Sequence, residues 1–124
     1  MNFDAIQYFT SKELESPDAP GSGKHMKMRL VKRLDALRGE CGFPLIISSG
    51  YRTKAHNRRV RGVDSSSHTA GWAVDIRATS SASRWAIVKH AIELGFNRVG
   101  IASTFIHLDC SPDPSHPENR IWTY

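Results

Sequence analysis

Apolar residues recur at Leu30, Leu34, Leu37 and Cys41, spaced four, three and four apart, the repeat of a helix with one buried face. This predicts a helix from about Met26 to Glu40, with Gly42 as its C-terminal stop. A second helix is predicted from the Ser80–Ser83 cap through Trp85, Val88, Ile92 and Leu94, ending at Gly95. Thr10 and Glu13 form a capping box for a short helix halted by Pro17, and residues 16–24 are rich in turn residues. Elsewhere the period is two. Trp72, Val74 and Ile76 alternate with Ala73 and Asp75, so the apolar three should face the core and Asp75 the other way. Residues 98–109 read as a hairpin with Ser103 and Thr104 near the turn. There Phe105, His107 and Asp109 share one face, and Ile106 and Leu108 the other.

The remaining segments are shorter. Leu45, Ile46 and Ile47 after Pro44 read as a buried strand, ending in a tight turn that delivers Tyr51 and Arg52. Thr53 to Val60 is a short basic helix or turn, Gly62 to Ser67 a polar loop, and Pro112 to Glu118 another loop. Trp122 and Tyr124 should fold back onto the body. No internal repeat is visible. The pattern predicts one α+β domain over residues 1–124, a small antiparallel sheet with helices packed on one side.

Composition narrows the class. In 124 residues, 40% hydrophobic and 23% charged is a globular balance that excludes wholesale disorder. No apolar run approaches the roughly 20 residues of a membrane span. The start, Met1-Asn2-Phe3-Asp4, lacks the basic and apolar regions of a secretory signal, so no export route of its own is expected. The net charge of +5 and the pI of about 9.6 favour polyanionic partners. Charge alone does not choose between nucleic acid and an anionic wall polymer. The absence of a nucleic-acid recognition motif, and of aromatics interleaved with the cations, argues against the former. Cys41 and Cys110 form no CxxC pair and read as buried thiols rather than a disulfide.

His68 in a loop, Asp75 on a strand and His107 on a distant strand can converge on one metal. Two imidazoles and a carboxylate leave a fourth tetrahedral position for water, the pattern of catalytic rather than structural zinc. Six histidines in the chain also give such triples by chance, and a histidine beside a Ser-rich loop is commonly a surface group. His25, His56, His90 and His116 carry no such pattern. Trp72 and Trp85 fit core positions.

Three blocks add a resemblance. Ser48-Ser49-Gly50-Tyr51-Arg52, then Ser67-His68-Thr69-Ala70-Gly71-Trp72-Ala73-Val74-Asp75-Ile76, then Phe105-Ile106-His107-Leu108-Asp109 together resemble the M15 peptidases. These are zinc D-Ala-D-Ala carboxypeptidases and related phage endolysins. The opening Phe9-Thr10 with Glu13-Leu14 is similar to short phage-type members. The resemblance implies a Hedgehog/D,D-peptidase-like fold and one zinc ion per chain held by His68, Asp75 and His107. It also implies that Arg52 binds a substrate carboxylate or carbonyl oxygen and that Ser67 helps hold the substrate. Trp122 either lines the mouth of the site or packs in the core. Many members carry an acidic base three residues before the last zinc histidine; here that position is Thr104. Asp109 is the nearest carboxylate, as the base or as an acceptor that orients a ligand imidazole, and Asp64 is more remote.

The implied activity is hydrolysis of an amide bond in peptidoglycan stem peptides, by a D,D-carboxypeptidase or endopeptidase. The alternative is an inactive zinc-containing module that binds cell wall. Implied partners are the wall peptide and anionic wall polymers, with no membrane span, no nucleic acid and a monomeric state. The setting is a protein made in the cytoplasm that reaches the wall during phage lysis, or one carried on the virion.

Overall fold

The computed structural model describes residues 3–124. Met1 and Asn2, the first part of the stretch read for a secretion signal, lie outside them. The architecture is α+β. In chain order it comprises helix α1 (Met28–Cys41), strand β1 (Ile47–Ser49), helix α2 (Lys54–Arg59), strand β2 (Ala73–Arg77), helix α3 (Ser81–Glu93), and strands β3 (Arg98–Ile101), β4 (Phe105–Asp109) and β5 (Arg120–Thr123). Short 3-10 helices at Ser11–Leu14, Ser22–His25 and Ser67–Ala70 connect them. The five strands form one sheet in the order β1-β2-β4-β3-β5. Among the described residues, no helix is long and apolar enough to cross a membrane.

Helix α1 buries Leu30, Val31, Leu34 and Leu37, the stripe its spacing predicts. Gly42 ends it in the left-handed conformation, φ 73°, which glycine adopts without a Cβ penalty. The β3–β4 hairpin pairs Ile101 with Ile106 and Arg98 with Asp109, turning at Ser103 and Thr104. Strand β2 lies against the other side of β4, with Asp75 opposite His107. Val74, Ile76, Ile106 and Leu108 join the α1 stripe, Ile87 and Ala91 in one core. One face of β2 and β4 thus supports the helices, and alternation sends Asp75, His107 and Asp109 to the other.

Four expectations are corrected. The first edge strand lies at Ile47–Ser49 rather than Leu45–Ile47; Leu45 is buried, but Ile46 is 59% exposed on the sheet edge. Helix α3 buries Ile87 and Ala91, while Trp85 and Ile92 face outward at 71% and 57% exposure. The sheet is mixed rather than wholly antiparallel, because the C-terminal segment forms β5 and pairs in parallel with β3. Cys110 is buried but Cys41 only partly so, and both are free thiols.

Candidate active site

Three local devices bring the histidines and Asp75 together. The register of β1 on β2 shifts between Ile47 and Ser49, and such irregularities bend a strand. The bend leads Gly50 across the backbone of Leu14, where an added Cβ would lie 2.6 Å from the Leu14 carbonyl oxygen. Only glycine permits that approach, and it leaves the Gly50 carbonyl 2.8 Å from His68 Nδ1. The 3-10 helix carrying His68 is capped at one end by Ser66, whose hydroxyl accepts from the His68 N–H, and at the other by Gly71 with φ 78°. At Gly71 a Cβ would also strike the His25 carbonyl oxygen, at 2.2 Å, so both sterics and dihedral demand glycine. From there the chain enters β2 and presents Asp75 toward His107 on β4.

His68 and His107 use different nitrogens. A carbonyl oxygen only accepts, so the Gly50 contact fixes the hydrogen on His68 Nδ1. His68 Nε2 then turns a lone pair toward Asp75 Oδ1, 3.2 Å away. His107 is the reverse: Nε2 donates to Asp109 Oδ2 at 2.7 Å, and Nδ1 lies 3.0 Å from Asp75 Oδ1. One donor atom from each of His68, Asp75 and His107 lies within 4.8 Å of the others. Two nitrogens and a carboxylate oxygen suit zinc, and the remaining ring nitrogens are already tethered.

Burial and neighbours tune the charges. Burial pushes the His68 pKa down, only partly offset by Asp75, which keeps a lone pair on Nε2. For Asp75 burial opposes ionisation, but the hydrogen bond donated by His107 leads the effects that outweigh it and hold the carboxyl below its ordinary range. Burial likewise disfavours the charged form of His107. The hydrogen bonds to Asp109 and Asp75 win, however, and raise its pKa. Burial would raise the Asp109 pKa, yet its contact with His107 leads the effects that lower it.

Asp109 is fully buried. Its Oδ2 accepts from His107 Nε2 and Ser67 Oγ, and its Oδ1 from Arg98 Nε and the Ser111 N–H. Both oxygens are occupied by donors. That is the position of a group that orients His107, not of a base in contact with water. Ser67 is 5% exposed, and its hydroxyl hydrogen goes to Asp109 at 2.8 Å rather than toward a ligand. Thr104 is exposed in the β3–β4 turn. Asp64 is exposed on a separate shallow depression with Lys54, Asn57 and Arg58.

The three donors lie at a cleft of about 610 Å³. Arg52 borders it with every guanidinium nitrogen engaged: Nε on Ser49 Oγ (2.9 Å), Nη1 on Asn57 Oδ1 (3.2 Å) and Nη2 on Asp75 Oδ2 (3.2 Å). Each Nη carries a second hydrogen that these contacts leave over. Trp122 stands on the cleft wall rather than in the core, its ring 5.2 Å from that of His107. Gly100 makes room for it, since a Cβ there would lie 2.7 Å from the indole nitrogen.

The chain belongs to the M15 peptidase family. The family model described as Peptidase M15 matches residues 7–109, a span that holds the three donors, Arg52, Ser67 and Asp109. No curated protein gives a match. M15 peptidases depend on zinc, and the donor set described above fits that ion. This M15 chain also carries site residues that its sequence did not single out. Arg98 ties Asp109 to the Pro117 carbonyl and lies over the Trp122 ring. His116 bridges the Ser111 hydroxyl and the Ser65 carbonyl, joining two loops that border the cleft. Asn57, 2% exposed, holds Arg52 and donates to the Val63 carbonyl at 2.8 Å. Asn57 and His116 lie on no periodic segment, and Arg98 stands at the very start of β3. A partial signal was present only for Gly100, a glycine within a predicted strand, which marks a close approach.

Proposed function

We propose that this M15 chain hydrolyses an amide bond in peptidoglycan stem peptides, as a D,D-carboxypeptidase or endopeptidase of the phage-lysis kind. The observation that carries the reading is the convergence of His68 Nε2, Asp75 Oδ1 and His107 Nδ1 at an open cleft. These residues would hold the zinc. Bound there, zinc supplies a Lewis acid and a water whose pKa falls to about 7.

The protein's own groups do the rest. Gly50 and Asp109 hold the two imidazoles in tautomer and orientation through the nitrogens that face away from Asp75. Arg52 offers its remaining N–H groups to a substrate carboxylate or to the carbonyl oxygen as it gains charge. Asn57 and Ser49 keep that fork from turning. Trp122 and Phe105 form an apolar wall beside it. Ser67 acts through Asp109, and Asp109 acts through His107.

A second reading, an inactive zinc-containing wall-binding module, draws on one observation. Among the described residues lining the cleft, the only carboxylate is Asp75, which leaves no free acid to shuttle a proton. Digestion of purified peptidoglycan with and without a chelator, with mass spectrometry of the fragments, separates the two. Chelator-sensitive release supports the peptidase and the fragment masses identify the bond. Zinc-loaded protein that releases nothing from several wall chemistries would establish the module.

A further inference from the structure

One concentration of positive charge lies beside the site. The chain holds 17 Lys and Arg against 12 Asp and Glu. Residues 52–61 contain Arg52, Lys54, Arg58, Arg59 and Arg61 and no acid. These ten residues alone carry +5, and residues 24–38, with six Lys and Arg against Asp35, carry as much elsewhere. Arg52 faces Asp75, and the other four are exposed. Among the described residues none of these four enters an ion pair, although Asp64 lies near Lys54 and Arg58.

Their placement is fixed by the fold. Thr53 caps α2 by accepting from the His56 N–H at 3.1 Å. Lys54 and Arg58, four apart, share one face of it and line a depression of about 300 Å³. Past the helix, Arg61 adopts φ 60° and borders the main cleft with Val60. Asn57 ties the helix to Arg52 and to the following loop at Val63. A cationic rim therefore runs from the outer surface to the lip of the site.

Resting on the peptidase reading above, we infer that this rim docks a phosphate-rich wall polymer and so holds the enzyme beside the peptides it cleaves. Guanidinium forks match phosphate oxygens in geometry and charge. A nucleic acid is disfavoured because the exposed apolar residues among the cations are Val60 and Val63, which offer no ring on which a base can stack. Exposed cations in a row suit a flexible anion with repeating charges, and binding of that kind weakens steeply with salt.

The test uses the full chain treated with chelator, so that hydrolysis does not alter the matrix. Co-sedimentation is measured at graded salt with wall sacculi carrying a polyol-phosphate polymer, with the same sacculi stripped of it by acid, and with a single-stranded DNA competitor. The expected result is salt-sensitive retention about tenfold stronger on the phosphate-bearing sacculi, lost in K54Q/R58Q/R59Q and kept in K54R/R58K/R59K. That triple glutamine variant should cleave a short soluble wall peptide like the parent. Equal retention on stripped sacculi, or full retention by the glutamine variant, overturns the inference. Competition by DNA well below the equivalent polymer phosphate assigns the rim to nucleic acid and overturns the occupant. Retention is read apart from turnover: phosphate-dependent retention without wall hydrolysis sinks the peptidase reading alone, and hydrolysis without such retention sinks the rim alone.

Discussion

The two faces of β2 and β4 alternate along the same ten residues and both are buried at their centre, yet they do opposite work. On one, Val74, Ile76, Ile106 and Leu108 are wholly buried and gain from leaving water without regard to direction. On the other, Asp75, His107 and Asp109 are 4%, 6% and 0% exposed, and burial there is costly unless every polar atom is partnered. The apolar face tolerates imprecision because many contacts share the load. The polar face is a chain of single dependencies: Arg98 and Ser67 hold Asp109, Asp109 holds His107, and Gly50 holds His68. The partnering is incomplete at one place, the His68 Nε2 lone pair turned toward Asp75 Oδ1.

The contrast predicts different failures. The largest is expected for His68→Ala, which should abolish zinc binding and hydrolysis together while the protein stays folded. Metal analysis beside a turnover assay reads it, and activity without zinc would erase the distinction between the faces. On the opposite face, Leu108→Ala should cost about 2–5 kcal/mol of stability in a denaturant titration. Its folded fraction should bind zinc as the parent does.

Asp109→Asn sharpens the comparison within the polar face. As an orienting group, its loss should raise the zinc Kd about 10–100-fold, with activity largely restored at saturating zinc. Were it the base, turnover would stay low however much zinc were added.

These positions differ in how legible they were. Ile106 and Leu108 against His107 and Asp109 follow from the period of two, and α1 from the spacing of its leucines. Helix α3 misled because apolar residues lie around much of its circumference, so Trp85 and Ile92 could be read as core although Ile87 and Ala91 are what the sheet covers. Strand β5 follows a proline-containing loop and gains its partner from parallel pairing with distant β3, which no local pattern announces. His116, Asn57 and Arg98 act through hydrogen bonds between loops or across strands. Such bonds depend on where the chain meets itself, and residue type alone does not encode that. The three candidate metal donors were visible as residue types on a loop and two strands, and the family resemblance singled them out; the choice of nitrogen on each histidine required the fold.

The smallest expected effect is on pH. The pKa of His107 is raised above 6.5 in the folded protein. In the metal-free form its proton therefore contributes stability that is fully present below 6.5 and lost as pH rises through the raised value. Asp75 and Asp109, lowered from 3.8, contribute stability present above that value and lost as pH falls through their folded pKa values. A zinc ion held by His107 Nδ1 would have to displace the proton there. Metal-free melting temperature should decline as pH rises above 6.5, the zinc-loaded form should not, and zinc affinity should weaken as pH falls. A metal-free form whose melting is flat over that range would remove His107 as a charged partner of Asp75.

The most direct test of the account is anomalous diffraction at the zinc edge from crystals of the zinc-loaded protein. One peak is expected, bonded by His68 Nε2, Asp75 Oδ1 and His107 Nδ1, with His107 Nε2 still on Asp109. A peak bonded through His107 Nε2, or no peak among these three residues, would contradict it.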